Sequence, residues 1–165
     1  MNKYTTYLII LSLVLFAGAP VAIHLAPYES TMGLVQKVMY FHAPSGMVML
    51  ISAVVCGVAS ALYLWKRDPA ADRVAIAAAE LTALFGLIVL VTGPLWARKA
   101  WGVWWVWEAR LTMSFVGWLI AVGYLFVRKY GGPGSDKLAA GLAVFGTANV
   151  PFIYVSVNIW RTMHR

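Results

Sequence analysis

The sequence predicts an all-α fold, a polytopic bundle of transmembrane helices, and three observations lead to it. Of the 165 residues, 62% are hydrophobic and 12% charged, against roughly 45–50% and about 25% in soluble domains. The apolar residues gather into five runs of near-spanning length. The basic residues behind the net charge of +7 sit in short clusters between those runs. Such clusters mark loops between spans, and they argue against a nucleic-acid partner. The length suits one integral membrane domain, residues 1–165.

A helix needs about 20 apolar residues to cross roughly 30 Å of hydrocarbon. The runs are Tyr7–Ala26, Ala43–Trp65, Val74–Trp96, Leu111–Val127 and Leu138–Trp160. Before the first stands Lys3, and within it Ala17-Gly18-Ala19 resembles a signal-peptidase site. The apolar character continues past Pro20 to Leu25, so the run reads as an uncleaved first span. The second contains the single cysteine, Cys56, which excludes an intrachain disulfide or a CxxC pair and reads as a small packing residue. The third carries Glu80, expected to meet a polar neighbour or Arg73 two turns away. Gly93-Pro94 should end or kink it, since proline lacks the N–H and clashes with the preceding turn. The fourth run is the shortest. Gly131–Asp136 forms a turn, and Asn149 and Pro151 interrupt the fifth run, where freed backbone groups need partners inside the bundle.

Five crossings sort the loops. Residues 26–42, the Trp-rich segment 97–110 and the C-terminus share one side, and the N-terminus, residues 66–73 and residues 128–137 share the other. The first side holds Lys37, Arg98, Lys99, Arg110, Arg161 and Arg165, and the second Lys3, Lys66, Arg67, Arg73, Arg128, Lys129 and Lys137. The positive-inside rule places the second side in the cytoplasm by one residue. So much positive charge on an outer side suits an anionic ligand.

On that side lies "WGVWWVWEARLT", Trp101 to Thr112. Interfacial anchoring explains Trp65, Trp96 and Trp160 but strains at four tryptophans in seven residues, Trp101, Trp104, Trp105 and Trp107. In a helix, Trp101, Trp104, Trp105 and Glu108 would share one face and Trp107 and Arg110 an adjoining stripe. The result would be an amphipathic segment at the membrane surface. Such a face is a platform for a planar ligand, and Arg110, Arg98 and Lys99 would pair with carboxylates on its rim. A porphyrin with two propionates fits; a quinone would use the rings but not several cations. His42 and His164 flank the segment on the same side and suit axial ligation of a haem iron. An isolated interfacial histidine is ordinarily a polar boundary residue, which is the reading for His24.

The tryptophan stretch, with "MGLVQKVMYFHAPS" before it, "VTGPLWARKAWG" leading into it and "PFIYVSVNIWRTMHR" after it, resembles the haem-handling proteins of cytochrome c maturation, the haem exporter protein C group (CcmC/CcsA). The resemblance covers about Ala26 to Arg165. It implies that the signature region lies outside the cytoplasm and holds non-covalent haem b, with His42 and His164 as axial ligands. It further implies a multi-pass protein of the cytoplasmic (inner) membrane with its N-terminus inside, delivering haem to a periplasmic haem chaperone. The implied partners are an ABC transporter's ATPase and permease subunits and a small membrane subunit, and the implied role is trafficking rather than enzymatic catalysis. Two features depart from the family pattern: Glu108 stands for the usual aspartate, and the sequence stops at Arg165, just after His164, where the family is expected to add a final span. The rival readings are a membrane b-type cytochrome, which would place histidine pairs deep in the spans, and a permease or scaffold subunit, which leaves the tryptophans idle.

Overall fold

The structure, a computed structural model, describes residues 2–159, with the backbone alone described at residue 154 and residues 156–159. Among the described residues six α-helices follow one another: α1 (Lys3–Leu25), α2 (Met39–Lys66), α3 (Pro69–Trp101), α4 (Ala109–Tyr130), α5 (Ser135–Thr147) and α6 (Asn149–Ile159). A 3-10 turn, Leu34–Val38, runs straight into α2. Four helical stretches are long and apolar enough to cross a membrane: α1, Leu34–Lys66, α3 and α4. The all-α membrane bundle expected from composition is what the chain forms.

Helix ends follow local chemistry. The Asp68 carboxylate accepts from the Ala70 N–H at 2.9 Å, and Pro69 opens α3, where its missing N–H costs nothing. Gly102, at φ 79°, closes α3 in the left-handed region, its N–H bonding the Arg98 carbonyl. Between these ends α3 passes through Gly93-Pro94 without stopping and runs to Trp101. The expected break at Pro94 is therefore not a terminus. Ala97, Arg98, Lys99 and Ala100 are good helix formers and carry the helix onward.

The fifth run is the opposite case. It divides into α5 and α6 at Ala148. Pro151 cannot donate to the Thr147 carbonyl and its ring crowds that group, which favours the break here. The Asn149 amide bridges the gap, donating to the Met113 carbonyl of α4 at 2.7 Å. Gly117 gives that amide room: a Cβ there would stand 3.0 Å from Asn149 Nδ2.

The closed half of the bundle is built from small residues. Cys56 and Ala59 on α2, Ala75, Ala78 and Ala79 on α3, and Ala139 and Ala143 on α5 form one buried cluster around Tyr124 of α4. In lipid there is no hydrophobic gain in bringing helices together, so close approach through small side chains supplies the packing. Cys56 is the small packing residue it was expected to be. Two polar ties lock the same end. Arg128 of α4 donates to both Asp72 carboxylate oxygens on α3, at 2.8 and 2.6 Å. The Tyr63 hydroxyl of α2 donates to Asp136 of α5 and so holds that carboxyl below its ordinary pKa. Glu80 is exposed on α3, and the acidic residue of α3 that forms an ion pair is Asp72 rather than Glu80 with Arg73. α1 has no buried residue; near its end Lys37 Nζ donates to the His24 carbonyl at 2.7 Å and lies over the Tyr28 ring.

Gly57 is where α2 and α5 touch most closely: a Cβ there would fall 1.5 Å from Thr147 Oγ1 and 3.2 Å from the Ala143 carbonyl oxygen. Gly57→Ala is expected to cost about 1–3 kcal/mol through overpacking, read as a lower melting midpoint in detergent. Thr147→Ala in the same chain should recover part of the loss. An unchanged midpoint in the single variant would show that the α2–α5 contact is not close.

Candidate functional site

Toward the other end α2, α3 and α4 and the loop before α4 line a cavity of about 700 Å³. That volume suits one medium-sized organic ligand. Its wall on α2 runs from Met39 to Leu50 and its wall on α3 from Val89 to Trp101. At about 1.5 Å per residue the lining extends roughly 16–18 Å along these two helices.

His42, Trp101, Trp104, Trp105 and Arg110 all line this one cavity. They arrive from four places: His42 from the second turn of α2, Trp101 from the last residue of α3, the two other indoles from the connecting loop, and Arg110 from the start of α4. Trp107 and Glu108 do not line it. Trp107 is 74% exposed, and Glu108 is the extended N-cap residue of α4. His164 lies outside the described residues. Of the three cations expected beside the indoles, Arg110 lines the cavity, Arg98 donates to the Gly102 carbonyl at the end of α3, and Lys99 is exposed.

The aromatic stretch is not helical. After Gly102 the chain is irregular through Trp107, and helix resumes at Ala109. The left-handed Gly102 ends the helix, and Val103-Trp104-Trp105-Val106-Trp107 is a run of β-branched and aromatic side chains that lose rotamer freedom in a helix. The shared helical face expected for Trp101, Trp104, Trp105 and Glu108 does not exist. Three of the four nonetheless meet at the cavity, because the loop folds back over it.

Each aromatic wall is braced from behind. Trp96 meets Trp101 edge-on at 5.4 Å, and its indole N–H donates to Gln36 of the 3-10 turn at 3.3 Å. Trp105 meets Trp107 at 5.7 Å and Phe115 at 6.5 Å, and Phe115 stacks on Trp118 at 6.2 Å. Trp118 in turn donates to the Ala83 carbonyl of α3 at 2.9 Å, over Gly86, where a Cβ would meet its ring at 2.7 Å. The loop is thus anchored through α4 onto α3. Trp105 Nε1 is buried with no hydrogen-bond partner among the described residues. A buried N–H left unmade costs about 1–3 kcal/mol, so an acceptor on a ligand would be favoured there.

His42 is half-buried, with Nδ1 3.0 Å from Thr92 Oγ1. A Cβ at Gly93 would stand 3.2 Å from its Cε1. Gln36, Thr92, Gly93, Phe115 and Trp118 escaped the reading of the sequence, as did a role for Trp96 beyond anchoring. The available signals were a threonine before Gly-Pro inside a span and an F-x-x-W pair on one helix face. At the same end of the molecule the 27–33 loop is shaped by Glu29, whose carboxylate accepts from the Met32 and Thr31 amides, bonds that lower its pKa.

An integral membrane protein with an aromatic-walled cavity at one end of its bundle, a histidine on one wall and an arginine on another, is the class this arrangement defines. The chain belongs to the haem exporter protein C family, whose model matches residues 1–165. It is 36% identical over 143 residues to a haem exporter protein C of Bradyrhizobium diazoefficiens, covering 86% of this chain and 54% of the relative. It is 32% identical over 146 residues to that of Escherichia coli K12, covering 85% and 58%. With a ccmC-like mitochondrial cytochrome c biosynthesis protein of Marchantia polymorpha it shares 33% over 144 residues, 87% of this chain and 61% of the relative. The chain thus spans less than two thirds of the length of these relatives.

Proposed function

We propose that this chain holds haem b as non-covalent cargo at the outer face of the cytoplasmic membrane and presents it to a periplasmic haem chaperone during cytochrome c maturation. The observation that carries the proposal is the convergence of His42, three indoles and Arg110 on one cavity. The residues present fit that cargo. The apolar walls suit a porphyrin plane, the buried Trp105 N–H needs an acceptor, and Arg110 offers a fork for a carboxylate. Haem brings an iron with two axial positions. His42 takes one, and His164, which resembles the family's second ligand, takes the other. Trp107 backs Trp105, and Glu108 starts the helix that carries Arg110.

The membership of the family supports the setting: an inner-membrane protein with its N-terminus in the cytoplasm, working with the ATPase and permease of an ABC transporter and a small membrane subunit. It acts as a carrier rather than an enzyme. A cavity open at one end lets one porphyrin edge remain accessible to the chaperone while the apolar body is shielded.

His42→Ala and His164→Ala are each expected to abolish the bis-imidazole absorption spectrum of the purified protein. A spectrum unchanged in both would defeat the ligand assignment. Arg110→Gln is expected to weaken haem binding roughly 10–100-fold, the loss of a charge-assisted hydrogen bond of about 1.5–3 kcal/mol. Gly46 gives a test that touches no ligating group. It lines the cavity, and a Cβ there would meet only Val89, at 3.9 Å. Gly46→Leu should keep the melting midpoint and lose haem occupancy in titration; full occupancy would place the cargo elsewhere.

A further inference from the structure

We infer that Thr92 and Gly93 are positioning residues: they form a cradle on α3 that fixes the tautomer and the ring plane of His42, so that Nε2 is the nitrogen presented to the cavity. The inference rests on the proposed role of His42.

The assignment follows from counting protons. Thr92 Oγ1 lies 2.6 Å from the Ile88 carbonyl oxygen, one turn back on α3, and 3.0 Å from His42 Nδ1. A threonine hydroxyl has one proton. The shorter contact, to a carbonyl that can only accept, takes that proton. The hydroxyl oxygen then meets Nδ1 with a lone pair, so Nδ1 carries a proton. In the neutral ring the acceptor lone pair is then that of Nε2. The side chain of free neutral histidine favours the opposite tautomer, so the protein has to impose this one. The relay runs from the His42 N–H to the Thr92 hydroxyl to the Ile88 carbonyl, in surroundings where little water competes and each bond is worth more.

Gly93 supplies the second constraint. Its Cα faces the edge of the same ring, where a Cβ would lie 3.2 Å from Cε1 and 3.8 Å from Nδ1. A Cβ at this position would require the ring to shift by a few tenths of an ångström. A hydrogen bond at one nitrogen and backbone against the adjoining carbon leave the ring little freedom to rotate about its χ2. A donor bond at Nδ1 also raises the basicity of Nε2, the usual way a protein orients and strengthens a histidine ligand. The pair explains a stretch of α3 that packing does not. A threonine and a glycine before Pro94 weaken the helix, yet both touch His42 and neither is among the buried cluster of the other half.

The inference can be tested without cargo. The chain has three histidines, so the ring nitrogens of 15N-histidine-labelled protein in detergent can be resolved by long-range 15N–1H correlation, with His42→Ala identifying the signal of interest. In the wild type and in Thr92→Ser the ring should be in the Nδ1–H form. In Thr92→Val, which keeps the shape and removes the hydroxyl, it should revert toward the Nε2–H form. On haem loading, Thr92→Val should lose affinity by about 10–100-fold and raise the reduction potential, with Thr92→Ser restoring both. Gly93→Ala should shift the low-spin electron paramagnetic resonance signal, which reports ring orientation. An Nε2–H ring in the wild type, or a tautomer indifferent to Thr92→Val, overturns the inference. A haem spectrum that survives His42→Ala instead overturns the ligand role on which it rests, and the tautomer measurement tells the two failures apart.

Discussion

Close approach of helices through small side chains is the constraint on which the rest of the molecule depends. Within a bilayer, apolar side chains gain nothing by leaving lipid for one another, so association relies on fit. Around Tyr124 the chain offers alanine, glycine, serine and cysteine, and there the helices close. Along the same helices toward Met39 and Trp101, methionine, histidine and tryptophan stand among the small residues, and there a cavity opens. The ion pair of Asp72 with Arg128 and the bond of Tyr63 to Asp136 tie the closed half further.

A second consequence of the lipid setting is the use of backbone carbonyls as acceptors. Thr82, Thr92, Ser114 and Thr147 each donate to the carbonyl one turn behind. Trp118 and Asn149 donate across helices to Ala83 and Met113. With little water to satisfy a hydroxyl or an indole, these six donors use carbonyls inside the bundle. The two interhelical bonds also decide where the walls of the cavity stand. Trp118 sets the distance between α4 and α3 beneath the tryptophan loop, and Asn149 holds the α5–α6 junction against α4.

The fold class and most of the spans were legible because composition and run length report directly on a membrane environment. Four runs became spanning helices; the fifth contains Asn149 and Pro151, and the break they signalled is where α5 gives way to α6. Boundaries were less legible. Gly93-Pro94 read as an end or a kink, and the helix, with good formers after it, does not end there. Loop sorting put His42, Trp101, Trp104, Trp105 and Arg110 on one side, and the structure brings these five to one cavity while Trp107 and Glu108 stand off it. The helical face proposed for the tryptophans failed, because a left-handed glycine and five bulky residues outweigh an i, i+3, i+4 spacing. The braces, Gln36, Phe115 and Trp118, were illegible since their partners lie 60, 10 and 35 residues away in the chain.

The positive charge at the cavity end shows how a count differs from a site. Six basic residues on that side suggested a cluster for an anionic ligand. Among the described residues, Lys37 spends its ammonium on the His24 carbonyl and the Tyr28 ring, and Arg98 its guanidinium on the Gly102 carbonyl. Both ties shape the segments that frame the cavity rather than its interior. Arg110 is the described cation on the lining, and Trp105, also on the lining, keeps its N–H buried. On the proposed reading the two carboxylates of the cargo therefore meet unequal environments, one charged and one not. A carrier benefits from that inequality. A single strong ion pair orients the porphyrin, while a second would add to the free energy that must be returned when the cargo passes to its next holder.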